Sequence, residues 1–404
     1  MKILYFGTVC NEKKYNKLLE SCKVKPSAAP MVYEAALMEG FKDNHADLSV
    51  ASFPIVPAFP KGSVLGWGNQ QDVLSCGYKN TWLAAINVTG LKQLSLRISS
   101  ARYLRQWFRK NAGEAKAVIL YSIYEPIAGN VLKYCKKYQT PCYAIIPDLP
   151  RDMYSNMRIS KLKKWMSEHY VKNALKLQGK FDGYVYLTED MAEEINPVAP
   201  YTVVEGIFDA KNAKPPKCEA KEAIPAIMYA GALHEKYGIR QLLEGFLAVA
   251  DRAQLWLFGY GDYVQEIQTF SEKYPSVRYF GQISHDEVLQ YERRASLLVN
   301  LRSPEDMFTQ YSFPSKTIEY MGSGTPLLTT KLPGIPKEYF SYCYSISKNS
   351  VEEISRAFGK IISMPEEERC AFGKIAQKFV LEHKNPQQQA LKILKLFEDT
   401  RREV

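Results

Sequence analysis

Apolar and polar positions along the chain predict short strands separated by longer helices. Apolar runs typical of buried parallel strands alternate with stretches whose apolar residues recur at i, i+3, i+4 and i+7, as in amphipathic helices. In the first half the predicted strands are Lys2–Phe6, Ala117–Tyr121, Tyr143–Ile146, Gly183–Leu187 and Tyr201–Val204. In the second half they are Ala226–Tyr229, Gln254–Phe258, Val277–Phe280, Ser296–Leu301, Pro326–Thr329 and Tyr342–Ile346. This alternation predicts an α/β protein with doubly wound parallel sheets.

Two segments interrupt the pattern and divide the chain. Residues 53–80 are rich in proline and glycine, which predicts a long irregular excursion. Residues 210–222 carry lysines and prolines but no large apolar residue, which predicts a linker. We therefore expect a first domain over 1–209 and a second over 223–384. Residues 385–404 have helical apolar spacing and predict a closing helix.

Length and composition are those of a soluble globular protein. At 404 residues the chain suits two domains of about 200 residues each. The apolar run at the N-terminus is too short for a signal peptide, and no run approaches the roughly 18 apolar residues of a membrane-spanning helix. The eight cysteines show no metal-ligand spacing and fit reduced thiols. We therefore predict a cytoplasmic protein.

Positive charge is concentrated in the first half. Residues 1–210 carry 27 Lys and Arg against 19 Asp and Glu, a net +8, whereas residues 211–404 carry 26 against 24, a net +2. One basic cluster surrounds Trp107 and Phe108, and another surrounds Trp165. The basic residues of these clusters are Arg97, Arg102, Arg105, Arg109 and Lys110, and Arg158, Lys161, Lys163, Lys164, Lys172 and Lys176.

Basic residues interleaved with aromatic ones at helical spacing fit three situations. They are typical of helices that rest on an anionic membrane surface. They also occur in nucleic-acid-binding helices and in ordinary helices with a solvated polar face. The membrane surface and the solvated face are the two main alternatives, and we predict no nucleic-acid partner. The protein is therefore expected in the cytoplasm, with peripheral association at the inner face of a membrane as a further prediction.

The segment after the predicted strand Ser296–Leu301 indicates a ligand-binding helix. Pro314 and Ser315 are expected to begin this helix, because proline suits the first turn and serine caps it. Gly322 and Gly324 are expected to end it.

The chemistry of this helix points to a nucleoside diphosphate. The N-terminus of a helix has free N–H groups and a positive dipole end, which favour an anion such as phosphate. Lys316 adds a positive charge there. Glu319 lies one turn further on, where its carboxylate can accept hydrogen bonds from a diol such as ribose.

At these residues the chain resembles the retaining glycosyltransferases of family four, which have the two-domain GT-B fold. The run Glu319-Tyr-Met-Gly-Ser-Gly-Thr-Pro326 is similar to the second half of the family motif. The family has another glutamate eight positions earlier, where this chain has Tyr311. The preceding Phe-Pro-Ser-Lys resembles a subgroup found among bacterial surface-polysaccharide enzymes. The alternative is a Rossmann-like turn that binds no ligand.

The resemblance implies two Rossmann-like doubly wound domains facing a cleft. The first would bind a glycan or lipid-linked acceptor and the second a nucleotide-sugar donor, with the closing helix packed back across both. Donor-binding residues are then expected on the helix described above and on neighbouring loops. They are Glu319, Ser315, Tyr311, Ser312, Phe313, Gly281, Gln282, Ile283 and Gly261.

Two cations that the family uses to bind the diphosphate are missing. Ala232 and Tyr237 stand where the family has arginine and lysine, and Lys236 comes one residue early. Arg302 and Lys316 are the residues we expect to offset the diphosphate charge, because ligands of α/β sheets gather at the carboxyl ends of strands. A structural role for Arg302 is the alternative.

In the first half, Asp148 is the predicted catalytic carboxylate. It ends a strand where family members have a His-Asp pair, and Pro147 replaces the histidine. Ser27 and Glu125 are the predicted acceptor-side residues, with helix capping or solvation as the alternative for each. No Asp-x-Asp follows a strand and the five histidines are not at ligand spacing, so we predict no metal and no cofactor. The absence of Gly-x-Gly-x-x-Gly after the first strand disfavours a dinucleotide-dependent dehydrogenase.

The predicted function is transfer of a sugar from a nucleotide diphosphate sugar to a hydroxyl, with retention of configuration, in bacterial surface-polysaccharide synthesis. Asp148, Lys316 and Arg302 are the predicted catalytic residues. One alternative is a catalytically weak GT-B subunit that binds a nucleotide or a partner. The other is a GT-B sugar-nucleotide epimerase.

Overall fold

The structure is a computed structural model that describes residues 1–20, 22, 26–62, 64–151, 161–209 and 221–402. Its strands are β1 Lys2–Gly7, β2 Asp47–Ser52, β3 Gly66–Trp67, β4 Gln70–Val73, β5 Lys79–Trp82, β6 Ala85–Ile86, β7 Lys116–Tyr121, β8 Cys142–Ile146, β9 Gly183–Tyr186, β10 Tyr201–Val203, β11 Ala226–Ala230, β12 Gln254–Phe258, β13 Val277–Gly281, β14 Leu297–Asn300, β15 Leu327–Thr330 and β16 Tyr344–Ile346. Its α-helices are α1 Glu12–Glu20, α2 Ala29–Asp43, α3 Leu91–Lys110, α4 Glu125–Lys137, α5 Lys161–Gln178, α6 Met191–Ile195, α7 Ile239–Phe246, α8 Val264–Lys273, α9 His285–Arg294, α10 Ser315–Ser323, α11 Val351–Ile362, α12 Glu366–His383 and α13 Pro386–Arg402.

Internal contacts divide the chain into two compact units. The first unit is Met1–Ile207 together with Pro386–Val404, and the second unit is Phe208–Asn385. Most of the predicted linker, residues 210–220, lies outside the described residues. The closing helix α13 belongs to the first unit.

The first unit is built on one twisted, mainly parallel sheet. Its strand order in the described chain is β10-β9-β8-β7-β1-β2-β5-β4, and only β4 runs antiparallel to its neighbour. One apolar core lies between this sheet, α2 and α13. It includes Tyr5, Leu37, Phe41, Ile119, Tyr143, Ile393 and Phe397. Gly40 of α2 has no room for a side chain, because a Cβ there would lie 2.0 Å from the carbonyl oxygen of Pro386.

The prediction of an irregular excursion over 53–80 was wrong in part, because β3, β4 and the start of β5 lie within it. The edge strand β4 and its neighbour β5 lack an apolar pattern, and side-chain hydrogen bonds to Asp72 support their pairing. The Asp72 carboxylate accepts hydrogen bonds from Asn80 Nδ2 at 2.9 Å, from Trp82 Nε1 at 2.6 Å and from the backbone N–H of Asn11 at 3.1 Å. A buried carboxylate thus holds the sheet edge to the loop after β1.

The second unit contains a parallel sheet with the strand order β13-β12-β11-β14-β15-β16. Counted from β11, this is the order 3-2-1-4-5-6 of Rossmann domains. The predicted strands of this half are confirmed to within two residues at each end. Chain connections run outward in opposite directions from β11 and β14, so the loops after these two strands diverge. Ligands of such sheets bind where these loops part.

Candidate functional site

Tightly packed glycine loops cover the carboxyl edge of the second sheet. Gly238 has φ of 81° and a Cβ there would lie 1.9 Å from the carbonyl oxygen of Leu301. Gly259 has φ of 121° and a Cβ would lie 1.9 Å from the carbonyl oxygen of Gly231. At the predicted donor-binding residue Gly261, a Cβ would lie 2.0 Å from the carbonyl oxygen of Leu233. These glycines are required by the approach of one backbone segment to another, independently of any ligand.

Arg302 follows β14 at the point where the loops part. Its guanidinium lies over the ring of Tyr237, with Cζ 4.7 Å from the ring centre. Its Nε is buried and has no hydrogen-bond partner. Within the described part of the chain, no carboxylate forms an ion pair with Arg302. A buried donor without a partner is costly, so this side chain carries unused capacity to bind an anion.

The residue opposite Arg302 was missed by the sequence analysis as a contributor to the site. Tyr237 stands where the family has a lysine, and the sequence analysis considered only that a positive charge for the diphosphate was missing there. Its ring instead supports the guanidinium from one face, as aromatic rings do for arginine. Tyr237 in turn packs edge-on against Phe308, with ring centres 6.3 Å apart.

The helix α10 begins one residue earlier than a serine cap would require. Pro314 is the residue before the helix and provides no side-chain cap, and Ser315 is the first helical residue. The expectation that Ser315 caps the helix was therefore wrong. The helix ends at Ser323, and Gly324 adopts φ of 80° after it, as predicted for a C-terminal glycine. The prediction was wrong for Gly322, which is buried within the helix. The N-terminal N–H groups are thus left without a side-chain cap.

Lys316 is not a free cation in this structure. Its Nζ is paired with the Glu319 carboxylate and lies 3.8 Å from Oε1 of Glu292 on α9. The positive charge that we assigned to a diphosphate is therefore shared between two carboxyl groups. Glu319 keeps a quarter of its side chain exposed (25%), so one side of this carboxylate can still meet a ligand.

Glu292 is the second residue that the sequence analysis missed. Its side chain is 0% exposed and neither oxygen meets an N–H or O–H donor in the described chain. Burial raises its pKa well above the usual range, and the Glu319 charge adds to this rise. Burial also opposes ionisation of Glu319, but the Lys316 charge and hydrogen bonds from Glu292 and Lys316 outweigh it and lower the pKa of Glu319. The two opposite shifts favour a proton on Glu292 and the ionised form of Glu319.

The sequence did contain a signal for Glu292. In α9 the buried positions Val288 and Ala295 are spaced by seven residues, and Glu292 lies between them at i+4. A carboxylate on the apolar face of an amphipathic helix is unusual and calls for a partner.

The other predicted donor-binding residues lie on two loops. The Ser312 hydroxyl donates a hydrogen bond to the carbonyl of Phe308 at 2.8 Å. The Phe313 ring is 8% exposed and packs against Tyr339 in the core, so only its backbone can meet a ligand. Tyr311 is partly buried in the loop before α10. Gly281, at the end of β13, has φ of 71° and open space around it, while Gln282 is exposed and Ile283 packs on the core.

The predicted residues of the first unit have local structural roles. The Ser27 hydroxyl accepts a hydrogen bond from the backbone N–H of Ala29 at 3.2 Å, at the start of α2. Glu125 is the first residue of α4 and binds Arg97 through both carboxylate oxygens, at 2.6 and 2.7 Å. Asp148 is exposed after β8. Ser27 thus makes a local hydrogen bond beside the α2 cap residue Ala28. Glu125 is neither a cap nor solvated, because it is paired with Arg97. The predicted acceptor-side and catalytic roles of Ser27, Glu125 and Asp148 stay predictions.

A buried carboxyl group that we did not predict lies at the end of β1. Glu34 accepts hydrogen bonds from the backbone N–H of Thr8 at 2.9 Å, from the Thr8 hydroxyl and from the Tyr5 hydroxyl at 2.9 Å. Gly7 is needed here, because a Cβ would lie 1.9 Å from Glu34 Oε2. Burial raises the pKa of Glu34 to about 7, although the hydrogen bonds from Thr8 and Tyr5 oppose this rise.

The structure corrects the basic cluster around Trp107 and Phe108. Both side chains are buried, at 6% and 1% exposure, so neither can enter a membrane. The exposed face of α3 carries other residues, spaced at i, i+3, i+7, i+11, i+14 and i+18. They are Leu91, Leu94, Ile98, Arg102, Arg105 and Arg109, and we name them the α3 stripe. In the second cluster, Arg158 and the side chains of Lys161, Lys163, Lys164 and Trp165 lie outside the described residues, and Lys172 and Lys176 are exposed.

Within the described ranges, no three histidine, cysteine, aspartate or glutamate side chains are arranged to hold a metal ion. None of the described helices is both long and apolar enough to cross a bilayer. Independence of a metal remains a prediction that only an assay can test.

Comparison with known proteins gives a family match for the second unit. Residues 224–363 match the family model described as Glycosyl transferases group 1. No curated protein sequence matches the chain.

Solved structures match over the whole length of the chain. Sucrose-phosphate synthase from Thermosynechococcus elongatus superposes with a TM-score of 0.61 at 14% identity, covering 100% of both chains. The lipopolysaccharide outer core galactosyltransferase WaaB superposes with a TM-score of 0.61 at 13% identity, covering 99% of both chains. HepE of Anabaena in complex with UDP gives a TM-score of 0.62 at 12% identity, covering 99% of this chain and 100% of HepE. The predicted fold class, GT-B with two Rossmann-like doubly wound domains, is confirmed.

Proposed function

We propose that the protein is a glycosyltransferase that transfers a sugar from a nucleotide diphosphate sugar to a hydroxyl group, with retention of configuration. The observation that carries this proposal is Arg302, a half-buried cation at the point where the loops after β11 and β14 part, which no carboxylate of the described chain pairs with. The match of residues 224–363 to the group 1 family model supports the same function.

The donor would bind to the second unit through its phosphates and its ribose. The diphosphate binds Arg302, whose Nε has no partner in the described chain, and the N-terminus of α10, which has no side-chain cap. The ribose diol binds the exposed side of Glu319. The nucleobase lies along Gly281 and Gln282, where the backbone is open to solvent.

Arg302 would also act in the chemical step. As the bond between sugar and diphosphate breaks, negative charge grows on the departing phosphate oxygen, and a fixed cation stabilises that charge. The same oxygen accepts the proton of the acceptor hydroxyl, which attacks from the face that the diphosphate leaves. Lys316 contributes through Glu319, to which it is paired, more than through phosphate.

The first unit would bind the acceptor, a glycan or a lipid-linked sugar of bacterial surface-polysaccharide synthesis. Support for this part comes from the resemblance of Phe313-Pro-Ser-Lys316 to the corresponding enzyme subgroup. Asp148 is the acceptor-side carboxylate that remains exposed, and we propose it as the contact to the incoming hydroxyl.

Turnover of nucleotide sugars tests the proposal. The purified protein is incubated with UDP-, GDP- and ADP-sugars, with and without a membrane lipid extract, and the products are followed by NMR. Release of nucleoside diphosphate with a sugar product of unchanged anomeric configuration supports the proposal, and retained activity in EDTA supports metal independence. An inverted product would contradict retention.

Two other outcomes identify the alternatives. Nucleotide binding without turnover identifies a catalytically weak binding subunit, an alternative favoured by the pairing of Lys316 and the absence of two family cations. Conversion of the donor sugar to its epimer in the absence of any acceptor identifies an epimerase. Both outcomes would overturn the proposed transfer reaction.

We further propose that the α3 stripe holds the first unit on an anionic membrane surface. Three exposed aliphatic side chains and three exposed arginines share one face of a helix that contains no acidic residue. The aliphatic end continues onto Ile86, whose backbone N–H donates to the Ser95 hydroxyl at 3.0 Å and whose side chain is exposed. Each arginine near an anionic surface contributes roughly 1 kcal/mol.

A liposome flotation assay tests this surface. At low salt the protein should float with anionic vesicles and not with neutral ones, and binding should fade as salt rises. Replacing Arg102, Arg105 and Arg109 by glutamine should abolish flotation. A matched control replaces three exposed lysines of the second unit, Lys360, Lys374 and Lys378, and should float normally. Equal flotation of both triple variants would refute the α3 stripe as the membrane surface.

A further inference from the structure

Glu292 is a buried carboxyl group that the proposed function does not use. It lies on the inner face of α9, and its backbone carbonyl accepts a hydrogen bond from the Thr325 hydroxyl at 2.7 Å. Thr325 stands just before β15, and the same hydroxyl accepts from Lys221 Nζ at 2.8 Å. These bonds fix the end of α9 against the sheet, so the position of the Glu292 side chain is set by the fold.

The described groups around Glu292 allow its carboxyl group to donate a hydrogen bond but offer it none to accept. The charged or titratable groups that face it are Glu319, Lys316 and Tyr320 on α10 and Arg293 on α9. Glu319 is in addition approached by His285 from the start of α9. In the part of the chain that the structure describes, neither Glu292 oxygen meets an N–H or O–H donor, so as a carboxylate it would be buried without a hydrogen bond. As a carboxylic acid it can donate a hydrogen bond to Glu319. Two close carboxylates repel each other, so two carboxyl groups beside a single lysine tend to share one proton.

We propose that Glu292 is a positioning residue for the donor, which as a carboxylic acid donates a hydrogen bond to Glu319 and holds this carboxylate, with Lys316, in the orientation that accepts the ribose diol. The inference rests on the proposed function, because it assumes that Glu319 meets a ribose. Glu292 itself touches no ligand, since it is fully buried.

This arrangement has a consequence for binding. When Glu292 loses its proton, two carboxylates compete for the single charge of Lys316 and the hydrogen bond to Glu319 is lost. Glu319 then leaves its orientation, and affinity for the nucleotide falls as pH rises. A glutamine at position 292 keeps a donor for Glu319 and cannot ionise, so it should keep the affinity and remove the fall.

Calorimetric titration between pH 7 and pH 10 tests the inference. The probes are UDP, GDP and ADP, and the proteins are the wild type, Glu292→Gln and Glu292→Leu, each checked for folding by thermal unfolding. In the wild type, affinity for the preferred nucleotide should fall with rising pH. Glu292→Gln should bind as tightly at pH 7 and show a flatter profile, and Glu292→Leu should bind roughly tenfold or more weakly throughout.

The possible outcomes distinguish a failure of this inference from a failure of the proposed function. A wild type that binds none of the three nucleotides overturns the proposed function, and the inference with it. A wild type that binds, with a Glu292→Gln profile that superposes on it over the whole pH range, overturns the inference alone. This comparison of wild type and Glu292→Gln remains decisive if Glu292→Leu does not fold.

Discussion

The carboxyl edges of the two sheets use their charged residues differently. At the edge of the first sheet, Glu34 is enclosed by Thr8 and Tyr5, and Glu125 is bound by Arg97. At the edge of the second sheet, Arg302 stacks on Tyr237 and has a buried N–H without a partner among the described residues. Among those residues, the named carboxyl groups of the first edge have partners within the protein, whereas Arg302 keeps unused hydrogen-bonding capacity.

The difference separates residues that maintain the fold from residues that can bind a ligand. A charged group whose hydrogen bonds are all made within the protein stabilises the native state and has little to offer a substrate. A charged group that the fold leaves without a partner, at the point where the loops of a Rossmann-like sheet part, can form new hydrogen bonds with a ligand.

The largest effect is expected from Glu34, as a change of stability with pH. Burial raises its pKa from 4.5 to about 7 in the folded protein. Because its pKa is raised on folding, Glu34 contributes stability of about 3 kcal/mol that is fully present below about pH 4.5 and is lost as pH rises through about 7. Glu34→Gln cannot ionise and should lose this contribution to the pH dependence.

Chemical unfolding of wild type and Glu34→Gln across pH 4.5 to 8 measures the effect. Hydrogen exchange in β1 and α2 shows whether the change lies in the first unit. Parallel stability profiles for the two proteins would mean that Glu34 is ionised throughout and that the edge of the first sheet is less enclosed than we describe.

The fold could be predicted from the sequence, because apolar strands and amphipathic helices alternate with few exceptions. The strands missed by the prediction are β2 to β6, between Asp47 and Ile86. Among them, β4 and β5 are held by hydrogen bonds to Asp72 and lack an apolar pattern. The burial of Trp107 could also have been predicted from the sequence. Leu96, Leu104 and Trp107 are spaced by eight and three residues on one face of α3, which is a core pattern.

The site could be predicted only in part. Arg302 was expected at the end of a strand, and the structure has it there. The pairing of Lys316 could not be foreseen, because one of its partners, Glu292, is distant in sequence and meets it only when α9 packs against α10. Local spacing identifies the helix and its own residues, whereas the charges that reach it from another helix depend on tertiary packing.

The next effect in size concerns Glu319. Glu319→Ala should weaken binding of the donor and of the free nucleoside alike, by about 1.5–3 kcal/mol, because it removes a charge-assisted hydrogen bond to the ribose. Calorimetry with both ligands measures this loss, and circular dichroism checks the fold. Unchanged affinity in a folded variant would rule out the ribose contact.

A smaller effect is expected from Lys316. Because Lys316 pairs with Glu319, Lys316→Ala should weaken nucleoside and nucleoside diphosphate by a similar factor, about 1 kcal/mol for a partly buried pair. The same titrations measure it. A loss confined to the diphosphate would show that Lys316 leaves Glu319 and binds phosphate, as the sequence alone predicted.

The smallest effect is expected from Ser27 in the first unit. Ser27→Ala removes the hydrogen bond to the Ala29 N–H and should cost about 0.5–1 kcal/mol of stability, with acceptor kinetics unchanged. Thermal unfolding and the acceptor KM check the two parts. A raised acceptor KM would indicate that Ser27 contacts the acceptor, so that the edge of the first sheet also contains a ligand-binding residue.

The central claim is that Arg302 binds the diphosphate of a nucleotide donor. Its most direct test is calorimetric titration of wild type and Arg302→Ala with a nucleoside diphosphate and with the matching nucleoside. We predict that Arg302→Ala loses about 1.5–3 kcal/mol of affinity for the diphosphate and none for the nucleoside, since only the former offers charged oxygens to a guanidinium. Equal losses for both ligands, or no loss for either, would contradict the claim and make Arg302 a structural residue stacked on Tyr237.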